Sequence, residues 1–169
     1  ENLVHIRARG GNLLLNVGPR PDGRIAPADE DVLRDLGLWM MLYGESVRGV
    51  RPWTVTNEGD VWFTAKRAEG TVYALATLES NARTLVLGSV RATPATKVTL
   101  LGQEGELPWE QTPSGLRIDV KRTQTIRLVK AKPEPDRAET SDVQRLTWGL
   151  EAPVAVKITA VDAPAGPAK

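Results

Sequence analysis

Residues 3–27 read LVHIRARGGNLLLNVGPRPDGRIAP, and their punctuation decides how the rest of the chain is read. Leu3, Val4 and Ile6 stand among polar residues at roughly helical spacing, and Gly10-Gly11 stops that turn as a left-handed C-cap requires. The spacing predicts the tail of a helix over residues 1–9. Residues 12–17, NLLLNV, form an apolar run between glycines, with too little alternation for a strand that has one wet face. A strand covered on both sides is expected there. GPRPDGRIAP then supplies two prolines, the Asp22-Gly23 pair and another proline, which is the chemistry of a rigid surface loop.

Working outward, residues 28–43 open with Asp29, Glu30 and Asp31, placed to complement the positive end of a helix. Val32, Leu33, Leu36, Trp39, Met40 and Tyr43 follow on one stripe, so this segment is expected to be an amphipathic helix closed by Gly44. From about Trp53 the period becomes two: Val61, Phe63 and Ala65 alternate with Trp62, Thr64 and Lys66, and a similar run covers residues 72–77. Further strands are expected at 84–87, 97–101, 116–120, 125–129 and 154–161. Short strands at such intervals indicate an antiparallel β-sandwich.

The predicted architecture is therefore mainly β: residues 1–52 form a β-strand/α-helix unit, and residues 53–162 form the sandwich. Residues 130–150, charged and proline-containing, are expected to be an exposed excursion, and 163–169 a disordered tail.

Composition excludes several classes. The chain has 169 residues, 22 Lys and Arg against 21 Asp and Glu, and a net charge of +1, which offers no electrostatic reason for a nucleic acid or anionic membrane partner. With no Cys and one His, neither a disulfide framework nor a thiolate or multi-His metal site can be built, and no cofactor is expected. No apolar run approaches the roughly 18 residues of a membrane span, and no basic-then-apolar leader opens the sequence, so a soluble chain is expected. The first residue is Glu1, not Met, and it enters directly into a helix end, as a fragment or a processed product would.

The stretch from Gly10 through Gly18-Pro19 to Asp22-Gly23 closely resembles a segment of the α-L-fucosidases of glycoside hydrolase family 29. Tyr43-Gly44-Glu45-Ser46 and Gly49-Val50-Arg51-Pro52-Trp53 resemble that family's exit from its barrel, and Phe63-Thr64, Val72-Tyr73-Ala74 and Thr99-Leu100-Leu101-Gly102 resemble strands of its C-terminal sandwich. Two features depart from the pattern: His5 stands where the family often has Asp, and residues 130–150 look like an insertion. The resemblance implies that residues 1–52 are the last strand and helix of a (β/α)8 barrel, followed by the family's β-sandwich. It also implies retaining hydrolysis of terminal α-L-fucosyl groups, in which two carboxyl groups about 5 to 5.5 Å apart act as nucleophile and acid/base. Motifs matching those two groups are absent from this sequence, so no catalytic residue is assigned. The alternative is a non-catalytic sandwich module that supports the barrel or binds glycans.

Three residues stand as substrate-binding candidates. Asn16 would lie at the C-terminal end of the barrel strand, where barrel active sites sit, and it either approaches the sugar or satisfies loop backbone. Trp62 and Trp109 are the indoles expected to be exposed and able to face a pyranose, whereas Trp39 and Trp53 are expected in the core and Trp148 beside the excursion. Asp22 is read as a turn residue, Asp29 to Asp31 as a solvated helix start, and His5 as a surface or interface imidazole. The expected partners are a fucoside or fucosylated glycan and, for a strand cut from its barrel neighbours, either self-association or a chain supplying the missing barrel. The reason is that each unpaired buried backbone group costs about 1 to 3 kcal/mol and an open apolar edge templates association.

Overall fold

The computed structural model describes residues 1–78, 84–120 and 152–162. The expected strand at 125–129, the excursion at 130–150, Trp148 and the tail at 163–169 lie outside these residues.

Helix α1 (Asn2–Ala8) ends where Gly10 turns to φ +83°, with the Gly11 amide donating to Ile6 O at 2.9 Å. Its Val4 and Ala8 are buried against the sheet. Arg7 staples the helix end to the chain that leaves the second helix: Nε donates to Val47 O at 3.0 Å, Nη2 to Val50 O at 3.2 Å and Nη1 to Gly11 O at 2.6 Å. Five donors in a planar fork suit this task, which a lysine could not perform.

Residues 12–17 form no strand. Leu14 is 84% exposed, and Leu13, Leu15 and Val17 are exposed as well, which corrects the expectation of a covered strand at this position. The physical reason is that a ladder is made by neighbours, and within the described residues none lies beside this run. The loop after it does fold as its turn residues require: Gly23 adopts φ +79°, its amide donates to Arg20 O, the Arg24 amide donates to Asp22 Oδ1, and Pro19 bridges Ile25.

Helix α2 (Pro27–Tyr43) starts one residue earlier than its acidic turn suggested, with Pro27 in the first turn, where the missing amide proton costs nothing. Only its last two turns are covered. Trp39 and Tyr43 are buried, with ring centroids 5.5 Å apart, and Trp39 Nε1 donates to Pro153 O at 2.7 Å. Val32, expected on the buried stripe, is 58% exposed, because the contacts that cover the helix are made at Trp39 and Tyr43, in its C-terminal half.

A 3-10 turn, Gly44–Ser46, leads to the strands, all paired antiparallel. These are β1 (Arg51–Glu58), β2 (Val61–Lys66), β3 (Thr71–Ala76), β4 (Thr84–Leu87), β5 (Arg91–Leu100), β6 (Trp109–Thr112), β7 (Gly115–Asp119) and β8 (Val154–Asp162). One sheet has the order β1-β2-β3-β8-β5 and the other β4-β7-β6. The expected antiparallel sandwich is the fold observed. Strand β3 is buried at every position. By the two-residue pleat, Tyr73 and Leu75 face α1 and the 3-10 turn, while Val72, Ala74 and Ala76 face the other way. One apolar core runs from Val4, Trp39 and Val50 through Phe63 and Leu75 to Leu116 and Ile118. Burying α1, the end of α2 and both sheets in the same core ties these helical segments to the sandwich.

Candidate functional site

Two places combine polar chemistry with geometry fixed by the fold. The first is the seam between α2 and the sheet. Glu45, in the 3-10 turn, accepts on one oxygen from Tyr73 Oη of β3 at 2.7 Å and from Lys157 Nζ of β8 at 2.6 Å. Below it Ser46 Oγ donates to Tyr43 O and Thr64 Oγ1 donates to Ser46 O, so the buried polar atoms of the turn are paired. Partial burial raises the Glu45 carboxyl, but the hydrogen bonds from Lys157 and Tyr73, together with the positive charges of Lys157 and Lys66, outweigh it and hold the group below its ordinary value. Burial, followed by the carboxylate it faces, pushes the Tyr73 phenol well above its ordinary value. This is a lock holding charge in place, not a pair poised for proton transfer near neutrality.

The sign of the linkage follows from the direction. A carboxyl depressed in the folded state contributes stability above its unfolded value and loses it as the pH falls through the folded one. With the Glu45 side chain 38% exposed, the contribution is screened. Glu45→Gln is expected to cost about 0.5 to 1 kcal/mol at pH 7 and less at pH 3. Urea unfolding of both proteins at the two pH values measures this. An equal deficit at both would mean that the side chain's shape matters and its charge does not.

The second place lies where α1 crosses the start of the sheet. His5 and Arg9, one helical turn apart, both cover Trp62: the imidazole centroid is 4.2 Å from the indole and Arg9 Cζ is 4.6 Å from its centre. Trp62 is thus half-buried by a helix that returns over it, rather than free on the sheet surface. The imidazole, expected at a surface or interface, is at an interface within the chain. Beside it a cavity of about 310 Å³ opens, lined by Trp62, His5, Asp60 and Thr77 among others.

The other candidates lie elsewhere. Asn16 is exposed in the unladdered run after Gly11, and Asn12, at the start of that run, is the amide that Arg7 engages, through Oδ1 at 3.0 Å. Trp109 opens β6 on the smaller sheet, opposite Ile118, and packs half-buried against the core. The fold therefore brings Asn16, Trp62 and Trp109 to three separate elements. Trp39 and Trp53 are in the core as expected. Among the described residues no three His, Cys, Asp or Glu side chains converge to hold a metal ion, and no helix is long and apolar enough to cross a membrane.

Comparison with known proteins follows the same seam. Residues 1–45 match the family model described as alpha-L-fucosidase, and residues 54–132 match that of the alpha-L-fucosidase C-terminal domain. The tissue alpha-L-fucosidase of Mus musculus is 41% identical over 116 residues, covering 67% of this chain and 25% of that protein. The alpha-L-fucosidase of Branchiostoma floridae is 40% identical over 116 residues, covering 64% of this chain and 25% of that protein. The chain thus spans about a quarter of the length of the curated relatives it matches. The Thermotoga maritima alpha-fucosidase solved in complex with fucose superposes with a TM-score of 0.65 at 21% identity, over 94% of this chain and 32% of that one. Isoenzyme 1 from Paenibacillus thiaminolyticus gives 0.65 at 23% identity, over 95% and 33%; at such identities the likeness is one of fold. The chain belongs to the α-L-fucosidase family and carries the C-terminal part of it.

Proposed function

We propose that the chain is the part of a retaining α-L-fucosidase that closes the catalytic barrel and buttresses it, with residues 1–52 as the terminal β/α unit and 53–162 as the sandwich domain. The observation that carries this reading is the order of the two family matches, which meet where helix gives way to sheet. A fucoside or fucosylated glycan is the substrate. Retaining hydrolysis needs two carboxyl groups about 5 to 5.5 Å apart, one attacking the anomeric carbon and one passing a proton to the leaving oxygen and later taking one from water. Both are supplied from outside this chain. Asn16 reaches the sugar when residues 12–17 are paired in the closed barrel; Trp62 and Trp109 belong to the sandwich and contact glycan away from the reacting bond.

The exposed Leu13, Leu14 and Leu15 support a second part of the reading, that the chain by itself associates with copies of itself or holds a chain that completes the barrel. Light scattering that returned a stable 18.4 kDa monomer would remove this part. For the activity, release of 4-nitrophenol from 4-nitrophenyl α-L-fucoside is the test. None is expected from the chain alone, and turnover is expected once it is joined to the remainder of a barrel of about 250 residues. Turnover by the chain alone, abolished by one Asp or Glu substitution, would instead mean an active site assembled from its own carboxylates across subunits.

A further inference from the structure

We infer that Arg7 is a positioning residue for the hydrolysis. Its guanidinium fixes the entry of residues 12–17 against the sandwich and so sets where the end of that run, Asn16 to Gly18, stands on the catalytic face. The inference rests on the proposed reading of residues 12–17 as the closing barrel strand, whose C-terminal end faces the site.

All three guanidinium nitrogens of Arg7 donate, and they reach two separate parts of the chain. Nε donates to Val47 O at 3.0 Å and Nη2 to Val50 O at 3.2 Å, both on the linker that leads into β1. Val47 and Val50 are 5% and 4% exposed, so these carbonyls sit on backbone anchored in the core. Nη1 donates to Gly11 O at 2.6 Å and to Asn12 Oδ1 at 3.0 Å, at the start of the run. Among the described residues no backbone hydrogen bond holds residues 12–17, and the next one along the chain runs from the Arg20 amide to Arg24 O. The direction in which the run leaves Gly11 is therefore set by α1 and by Arg7. A planar fork fixes direction as well as distance, whereas a lysine ammonium is a point charge on a flexible stem. Direction matters because a barrel strand must keep register on both edges, and a displacement of about 1 Å at a catalytic site costs up to about 100-fold in rate.

Two measurements test this. The chain has no Cys, so Leu14→Cys and Val55→Cys place a pair of spin labels at exposed positions on the run and on β1. Arg7→Lys is expected to broaden the distance distribution between the labels about twofold. Asn12→Ala trims an exposed end of the same network, leaves the helix and linker contacts in place, and should broaden it in the same direction. In the completed enzyme, Arg7→Lys is expected to lower kcat for 4-nitrophenyl α-L-fucoside about tenfold, with KM within about twofold of the parent. Glu45→Gln, a loss confined to the seam around β3 and β8, controls for stability and should leave kcat unchanged. An unchanged distribution in both variants would overturn the inference. So would an unchanged kcat in Arg7→Lys, or an equal fall in Glu45→Gln. Absence of turnover in the parent would remove the hydrolysis reading and the catalytic half of this inference with it, while the label distances alone decide whether Arg7 holds the run.

Discussion

Gly115→Ala is expected to destabilise the protein by about 3 to 5 kcal/mol, lowering the melting temperature by roughly 10 to 15 °C in a chain of this size. Gly115 opens β7 at φ +140°, a backbone conformation that L side chains rarely adopt. A Cβ there would run into the main chain of the neighbouring strand: the carbonyl oxygen of Leu87 is nearest, followed by the carbonyl carbon at 2.7 Å and Gly88 Cα at 2.8 Å. None of these is the mobile end of a side chain, so relief requires β4 and β7 to separate. β7 is the central strand of the smaller sheet, and Leu87 and Leu116, cross-strand partners in the β4/β7 pair, are both fully buried. The turn on the other side cannot yield either, since Glu58 of β1 clamps the amides of Gly88 and Ser89 at 2.6 and 2.7 Å. Gly37→Ala is the matching control. Gly37 sits within α2 with nothing in reach of an added methyl group, and alanine there should stabilise by about 0.5 to 1 kcal/mol. Thermal unfolding of the two variants should therefore move in opposite directions; a Gly115→Ala loss below about 1 kcal/mol would show that the strands adjust more easily than close-packed backbone usually does.

How much of this was legible beforehand depended on whether a feature is local. The turn at Asp22-Gly23, the helix end at Gly10 and the alternation of Val61, Phe63 and Ala65 are set by neighbours within a few residues, and they are where the spacing put them. Strand β1 was harder to read because its register shifts between Pro52 and Asn57, which breaks the period of two. Residues 12–17 carry a strand's composition without a strand's partners, and composition cannot supply the missing hydrogen bonds. The exposure expected of Trp62 does not hold because nothing in its own segment announces that His5 and Arg9 pack over it. The Glu45 lock was hidden for the same reason. Its partners Tyr73 and Lys157 are 28 and 112 residues away, and only the closing of β8 onto β3 brings them together.

Trp39→Ala is expected to cost about 3 to 5 kcal/mol, and the loss should be concentrated in α2. Trp39 is 6% exposed, it packs on Tyr43 one turn later, and its indole nitrogen donates to Pro153 O across 114 residues of sequence. Truncation removes the largest apolar contact of the helix and leaves a buried carbonyl without its donor. The first half of α2 has little to offer in compensation, because Val32 is exposed and Trp39 and Tyr43 are the helix's buried residues. Trp39→Phe divides the two losses: it keeps most of the ring's area and removes only the donor, so about 1 to 3 kcal/mol is expected. Hydrogen exchange distinguishes detachment of the helix from general weakening. If α2 is a separately yielding unit, its amides should exchange markedly faster in Trp39→Ala while those of β3 and β8, at the centre of the larger sheet, keep their protection. Loss of protection in both together would mean that helix and sandwich open as one, and that the seam at Pro153 belongs to the core of the domain rather than to a joint between two units.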